Sequence, residues 1–96
     1  MNKDIYKTLM KNTMKSKNLT VKKLADRLYV NPISVYKILS GTAVSLNVVK
    51  TIAKYFEMDL ESFVIFRYKC GIPQSKNEKL ILLDYIIKES RTITNN

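Results

Sequence analysis

The sequence predicts an all-α fold, five short helices packed as one bundle with a sixth, apolar helix behind them. Three observations lead there. Apolar residues recur at helical rather than alternating spacing, capping residues stand in front of those runs, and only two Gly and two Pro interrupt the 96 residues. A chain of this length supports one hydrophobic core.

The first helix runs from Lys3 to about Lys17, with Ile5, Tyr6, Leu9, Met10 and Met14 at helical spacing. Lys3, Lys7, Lys11 and Lys15 form a basic stripe that reads as a solvated face, with direct phosphate contact as the alternative reading. Asn18 tolerates the left-handed conformation of a helix end, and Thr20 caps a second helix, Val21 to Leu28, which buries Leu24, Ala25 and Leu28. After the Tyr29-Val30 link, Asn31 followed by Pro32 starts a third helix, because Asn caps well and Pro suits the first helical position. Val35 and Ile38 face inward there, and Ser40-Gly41 ends it.

Ser45 caps a fourth helix with Leu46, Val48, Val49, Ile52, Ala53 and Phe56 on its apolar face, and Asp59 caps a fifth with Leu60, Phe63 and Val64 inward. Val64 to Tyr68 either continues that helix or forms a short extended piece, and Cys70-Gly71-Ile72-Pro73 breaks whatever precedes it. Ser75 and Glu78 have capping-box spacing, which predicts a sixth helix from Lys76 to about Glu89. Leu80, Ile81, Leu82, Leu83, Tyr85, Ile86 and Ile87 make it apolar on most sides. Such a helix needs cover on more than one face. Either it completes the monomer core, or Leu80, Leu83, Ile86 and Ile87 form a dimerisation surface; a strand over Leu80 to Ile87 is the third reading.

The net charge of +9 points to a polyanionic partner. Residues 1–54 hold eleven Lys or Arg against two acids, Asp4 and Asp26, whereas residues 55–96 hold six of each sign. The whole excess therefore sits on the segment with the two short helices, as a phosphate-binding surface requires. No histidine and a single cysteine, Cys70, argue against a metal site, a disulfide and imidazole catalysis; Cys70 reads as a packing residue. No cofactor and no enzymatic activity are expected. The apolar runs are too short for a bilayer span and the start, Met1-Asn2-Lys3-Asp4, has no secretory pattern, so a cytoplasmic location without membrane association is expected.

Leu19 to Gly41 carries the strongest motif: two short helices joined by a turn, the second amphipathic and the pair basic, an arrangement that sets a helix into the DNA major groove. With Leu24, Ala25, Leu28, Val30, Val35 and Ile38 inside, Pro32, Ile33, Tyr36 and Lys37 must point outward. Leu24-Ala25, Val30-Asn31, Val35, Ile38, Ser40-Gly41, Ser45-Leu46, Ile52-Ala53 and Asp59-Leu60, in that order, resemble the phage-repressor family of Cro/XRE-type helix-turn-helix proteins over residues 3–64. The resemblance implies a five-helix, lambda-repressor-like DNA-binding domain, a homodimer on a palindromic double-stranded operator, a role as transcriptional repressor, and a bacterial, phage or mobile-element origin. A module that holds a protein partner, such as an antitoxin regulating itself through the same motif, is the alternative.

Carried over position by position, the base readers are Asn31, Pro32, Ile33, Ser34, Tyr36 and Lys37, and the phosphate binders are Thr20, Val21, Lys22, Lys23 and Thr42. The chain departs from the family in several places. Val21 stands where the family has a phosphate-binding Gln, Tyr29 where Gly is frequent, and Pro32 and Ile33 where polar readers are usual. Pro32 and Ile33 can meet a thymine methyl but cannot hydrogen-bond a base edge through their side chains. Met14 and Leu39 replace an Arg–Glu pair, and the Gly41 to Ser45 loop is one residue shorter than is common. The expected organisation is a DNA-binding domain at 1–66, a linker at 67–75, a dimerisation helix at 76–90 and a disordered tail at 91–96.

Overall fold

The structure is a computed structural model that describes residues 2–94, with side chains through Arg91. Its described residues form six helices and no strand: α1 Lys3–Ser16, α2 Val21–Leu28, α3 Pro32–Ser40, α4 Leu46–Tyr55, α5 Leu60–Lys69 and α6 Lys76–Thr94. None is long and apolar enough to cross a membrane.

The helix starts follow the capping chemistry. Asn2, Thr20, Asn31 and Asp59 accept from the backbone N–H of Ile5, Lys23, Ile33 and Ser62 at 2.8–3.2 Å. Ser45 has the extended backbone of a cap, but its side chain makes no capping bond. The ends follow one pattern. Each of α1 to α5 runs into a residue of positive φ, in turn Asn18, Tyr29, Gly41, Glu57 and Gly71. The next N–H bonds back five residues, from Leu19 to Met14, Val30 to Ala25, Thr42 to Lys37, Met58 to Ala53 and Ile72 to Arg67, at 2.8–3.1 Å. These are Schellman terminations, which satisfy carbonyls that a helix end leaves without partners.

One core results. Tyr6, Met10 and Met14 of α1 meet Leu24 and Ala25 of α2, Val35 and Ile38 of α3, Val49, Ile52 and Ala53 of α4, and Phe63 and Val64 of α5. Ile5 and Leu9, expected on the same inner face, are instead exposed at 48 and 44 %. They form a second i, i+4 row about 100° around α1 from Tyr6 and Met10, and no described element covers it. Leu28 and Val30 are half-buried at the rim, and Cys70 is a buried packing residue.

Beyond Val64 the helical alternative holds, since α5 continues through Lys69 and its Arg67 is fully buried. The connection is therefore Cys70 to Ser75, shorter than the expected linker at 67–75. The strand alternative for Leu80 to Ile87 fails, as α6 is helical to Thr94. The segment expected to be a disordered tail is thus helical over 91–94, and residues 95 and 96 lie outside the described residues. α6 returns antiparallel along α5, with Arg67–Glu78 at one end of the seam (3.0 Å) and Glu61–Lys88 at the other (3.7 Å). Ile81 packs on the core from this side, whereas Leu80, Leu83, Ile86 and Ile87 remain 42–57 % exposed.

Candidate nucleic-acid interface

The candidate surface begins with the close packing of α2 on α3. Ala25, 2 % exposed, leaves no bulk between them, and Leu24, Val35 and Ile38 lie sealed beneath. Burying Val35 and Ile38 turns the other side of α3 outward by the 3.6-residue period. Asn31, Pro32, Ile33, Tyr36 and Lys37 are exposed, and Ser34 is half-buried. Ile33 and Tyr36 are each about 60 % exposed, large apolar surface on a helix with no covering element. Asn31 commits its Oδ1 to the Ile33 N–H at 2.8 Å, which leaves its amide NH2 as the group free to donate outward.

The phosphate candidates lie at the start of α2 and just after α3. Thr20, Lys22 and Lys23 are exposed and Val21 is half-buried at the start of α2. Thr20 Oγ1 accepts from the Lys23 N–H at 3.2 Å, and the first-turn amides of Val21 and Lys22 have no helical acceptor by construction. Those N–H groups at the positive end of the helix dipole suit an anion even without the family's Gln side chain. Thr42 is exposed after α3, with its hydroxyl 3.0 Å from Ser40 Oγ and its N–H bonded to Lys37 O.

Part of the α1 lysine stripe lies on the same surface. A groove lined by Lys7, Lys11, Met14, Leu19, Val21, Tyr36, Leu39 and Ser40 puts two α1 lysines beside the α2 N-terminus and the outer face of α3. Part of the stripe read as a solvated face therefore adjoins the helix-turn-helix. The signal was the i, i+4 spacing of Lys7 and Lys11, one residue on from the buried Tyr6 and Met10. Met14 and Leu39 line this same groove.

A second groove, lined by Ser34, Lys37, Ala43, Val44, Ser45, Val48 and Ser75, brings the α6 cap residue to the opposite flank of α3. The end of α3 is seated from both sides. Tyr6 Oη donates to Ile38 O at 2.6 Å, and a Cβ on Gly41 would stand 2.7 Å from Ile72 Cδ1 and 3.1 Å from Lys3 Cε. Only glycine allows that approach together with φ of +76°.

Behind Tyr6 lies a buried polar chain that the sequence reading did not anticipate. Arg67 Nη1 donates to Tyr6 Oη at 2.8 Å, Arg67 Nε donates to Glu78 Oε2 at 3.0 Å, and Glu78 Oε1 accepts from Ser75 N–H at 3.2 Å. Arg67 and Glu78 are both 0 % exposed. The guanidinium also lies 5.7 Å from the Tyr6 ring centroid and 6.0 Å from that of Phe63. Burial raises the Tyr6 phenol above its ordinary value of 10.0, partly offset by the adjacent Arg67.

A family model described as helix-turn-helix matches residues 10–63, more than half of the chain and all of α2, α3 and α4. No curated protein and no solved structure matches.

Proposed function

Since the chain belongs to the XRE-type helix-turn-helix family, a family of DNA-binding regulators, we propose that it binds a palindromic operator as a homodimer and represses transcription by occupying it. The observation that carries this reading is the outer face of α3, uncovered from Asn31 to Lys37 and flanked by Lys7 and Lys11 on one side. In the proposed complex Lys37 pairs with guanine O6 and N7, Asn31, Ser34 and Tyr36 donate to base edges, and Pro32 and Ile33 contact thymine methyls. Thr20, Lys22, Lys23, Thr42 and the Val21 amide hold phosphates, joined by Lys7 and Lys11.

Dimerisation through α6 is supported by the run of Leu80, Leu83, Ile86 and Ile87. Covering the exposed half of each side chain is worth about 1 kcal/mol, or roughly 8 kcal/mol over a symmetric pair. Association costs about 4–15 kcal/mol. The dimer of this reading is therefore weak in free solution and assembles on the palindrome, where the first bound subunit raises the local concentration of the second.

Selection of bound duplexes from a random pool tests the proposal. The expected product is one inverted repeat with half-site centres ~34 Å apart, bound at least about a thousandfold tighter than random duplex at physiological salt. Equal affinity for all duplexes would sink it. The exposed α6 run also supports a second reading, a module that holds a protein partner there and binds DNA only to regulate its own synthesis.

A further inference from the structure

Arg67 and Glu78 are a poor device for stability alone. A buried ion pair seldom outperforms apolar residues of the same size, and Arg67 Nη2 is buried with no hydrogen-bond partner at all. What the pair does accomplish is connection. From Ser75 at the α6 cap, hydrogen bonds run through Glu78, Arg67 and Tyr6 to the carbonyl of Ile38 in the last turn of α3, at 3.2, 3.0, 2.8 and 2.6 Å. Ser75 reappears beside Ser34 and Lys37 in one groove, and Ile72, just before α6, packs against Gly41 at the end of α3. The start of α6 is thereby tied to the recognition helix both inside the core and at the surface.

We propose that Arg67 and Glu78 are positioning residues for operator recognition: they fix the angle at which α6 leaves the domain relative to α3, and so set the half-site spacing a dimer accepts. This rests on the operator reading above. Hydrogen-bonded buried charges constrain direction, whereas the rest of the α5–α6 seam, apolar contact and the solvent-exposed Glu61–Lys88 pair at 3.7 Å, holds it only weakly against sliding and rotation. A rotation of α6 at its first turn displaces the far apolar residues Ile86 and Ile87 most, since they lie about 12 Å along the axis from Glu78.

The test uses the full chain and its selected operator, with the spacer between half-sites lengthened or shortened by one and two base pairs. The double variant R67M/E78L removes both charges at similar volume, so folding is retained. Wild type is expected to prefer one spacer sharply. The double variant is expected to bind an isolated half-site within about threefold of wild type while its preference among spacers falls about tenfold or more, because only the geometry of the second binding event has changed. A merely structural pair would change melting temperature and leave the spacer profile alone. Should R67M/E78L fail to fold by circular dichroism, Y6F carries the test, since it cuts the chain between Arg67 and Ile38 and keeps the ring packing. A sharp wild-type optimum that the folded variant retains overturns the positioning role and leaves operator binding intact. A wild-type chain with no spacer optimum overturns the dimeric operator reading and this role with it.

Discussion

Replacing Glu78 by Ala should be among the most damaging single substitutions on α6. The carboxylate is 0 % exposed and is the counter-ion of an equally buried Arg67 at 3.0 Å. Removing one member of such a pair leaves a charge without compensation in a low-dielectric site, at a cost of about 3–5 kcal/mol. Glu78 Oε1 also accepts from Ser75 N–H at 3.2 Å, and that net contribution adds roughly 0.5–1.5 kcal/mol. Against a total stability on the order of 5–14 kcal/mol for a domain of this size, about a quarter or more is lost. Urea and thermal unfolding followed by far-ultraviolet circular dichroism measure it directly, and the melting temperature should fall by at least about 12 °C. R67M/E78L should lie within about 1–2 kcal/mol of wild type, since nothing charged is left behind. A loss below about 1 kcal/mol for E78A would mean that the carboxylate is not the partner Arg67 depends on.

Tyr29 is 96 % exposed at φ of +54°, so Y29G should stabilise the chain by about 1 kcal/mol and raise the melting temperature by roughly 4–8 °C; a decrease would show that the ring holds the turn. K37A should change which sequence is selected, whereas K22A should weaken all duplexes alike and lower the salt slope by about 1; an unchanged selected sequence for K37A removes it from the readers. L83E places a charge on the exposed α6 surface without touching the core, so gel shifts on the palindrome should accumulate singly occupied duplex that wild type passes through. Unchanged loading would assign the α6 surface to a protein partner instead. The raised phenol of Tyr6 gives stability that is present below pH 10 and is lost as pH climbs through its folded value. The stability difference between wild type and Y6F should therefore hold constant below pH 10 and narrow above it, and a constant difference throughout would place the Tyr6 hydroxyl in contact with water.

Most helix boundaries were legible because local chemistry writes them. Thr20, Asn31 and Asp59 cap as their side chains dictate, Pro32 starts α3, and Asn18 and Gly41 reverse the chain where positive φ comes at little cost. Tyr29 and Glu57 take the same conformation with no side-chain preference for it; the packing of Val30 and Met58 on the core and their N–H bonds back to Ala25 and Ala53 hold it there. The outward face of α3 followed from period alone, once Val35 and Ile38 were placed inside. The environment of that face did not, because the approach of Lys7 and Lys11 depends on how α1 crosses α3, which no local pattern specifies. Arg67 was the hardest residue to place. It sits at the i+3 and i+4 positions from Val64 and Phe63, an inward slot, and a charge there predicts a buried partner; Glu78 was already accounted for by its cap and drew no second role.

The shared way in which α1 to α5 end bears on how the chain folds. The reversals at Asn18, Gly41 and Gly71 are specified within about six residues, so those direction changes can form in the unfolded chain before any long-range contact exists, whereas the ones at Tyr29 and Glu57 wait for the core. Folding speed is governed by how far apart in sequence the stabilising contacts lie, and short connections between such helices place the bundle in the microsecond-to-millisecond class. The tie from Ser75 to Ile38 is of the opposite kind. Tyr6 and Arg67 are separated by 61 residues, so that link closes late, after the five-helix domain has collapsed. During synthesis α3 would accordingly gain its tie to Ser75 only once Arg67 and Glu78 have both left the ribosome.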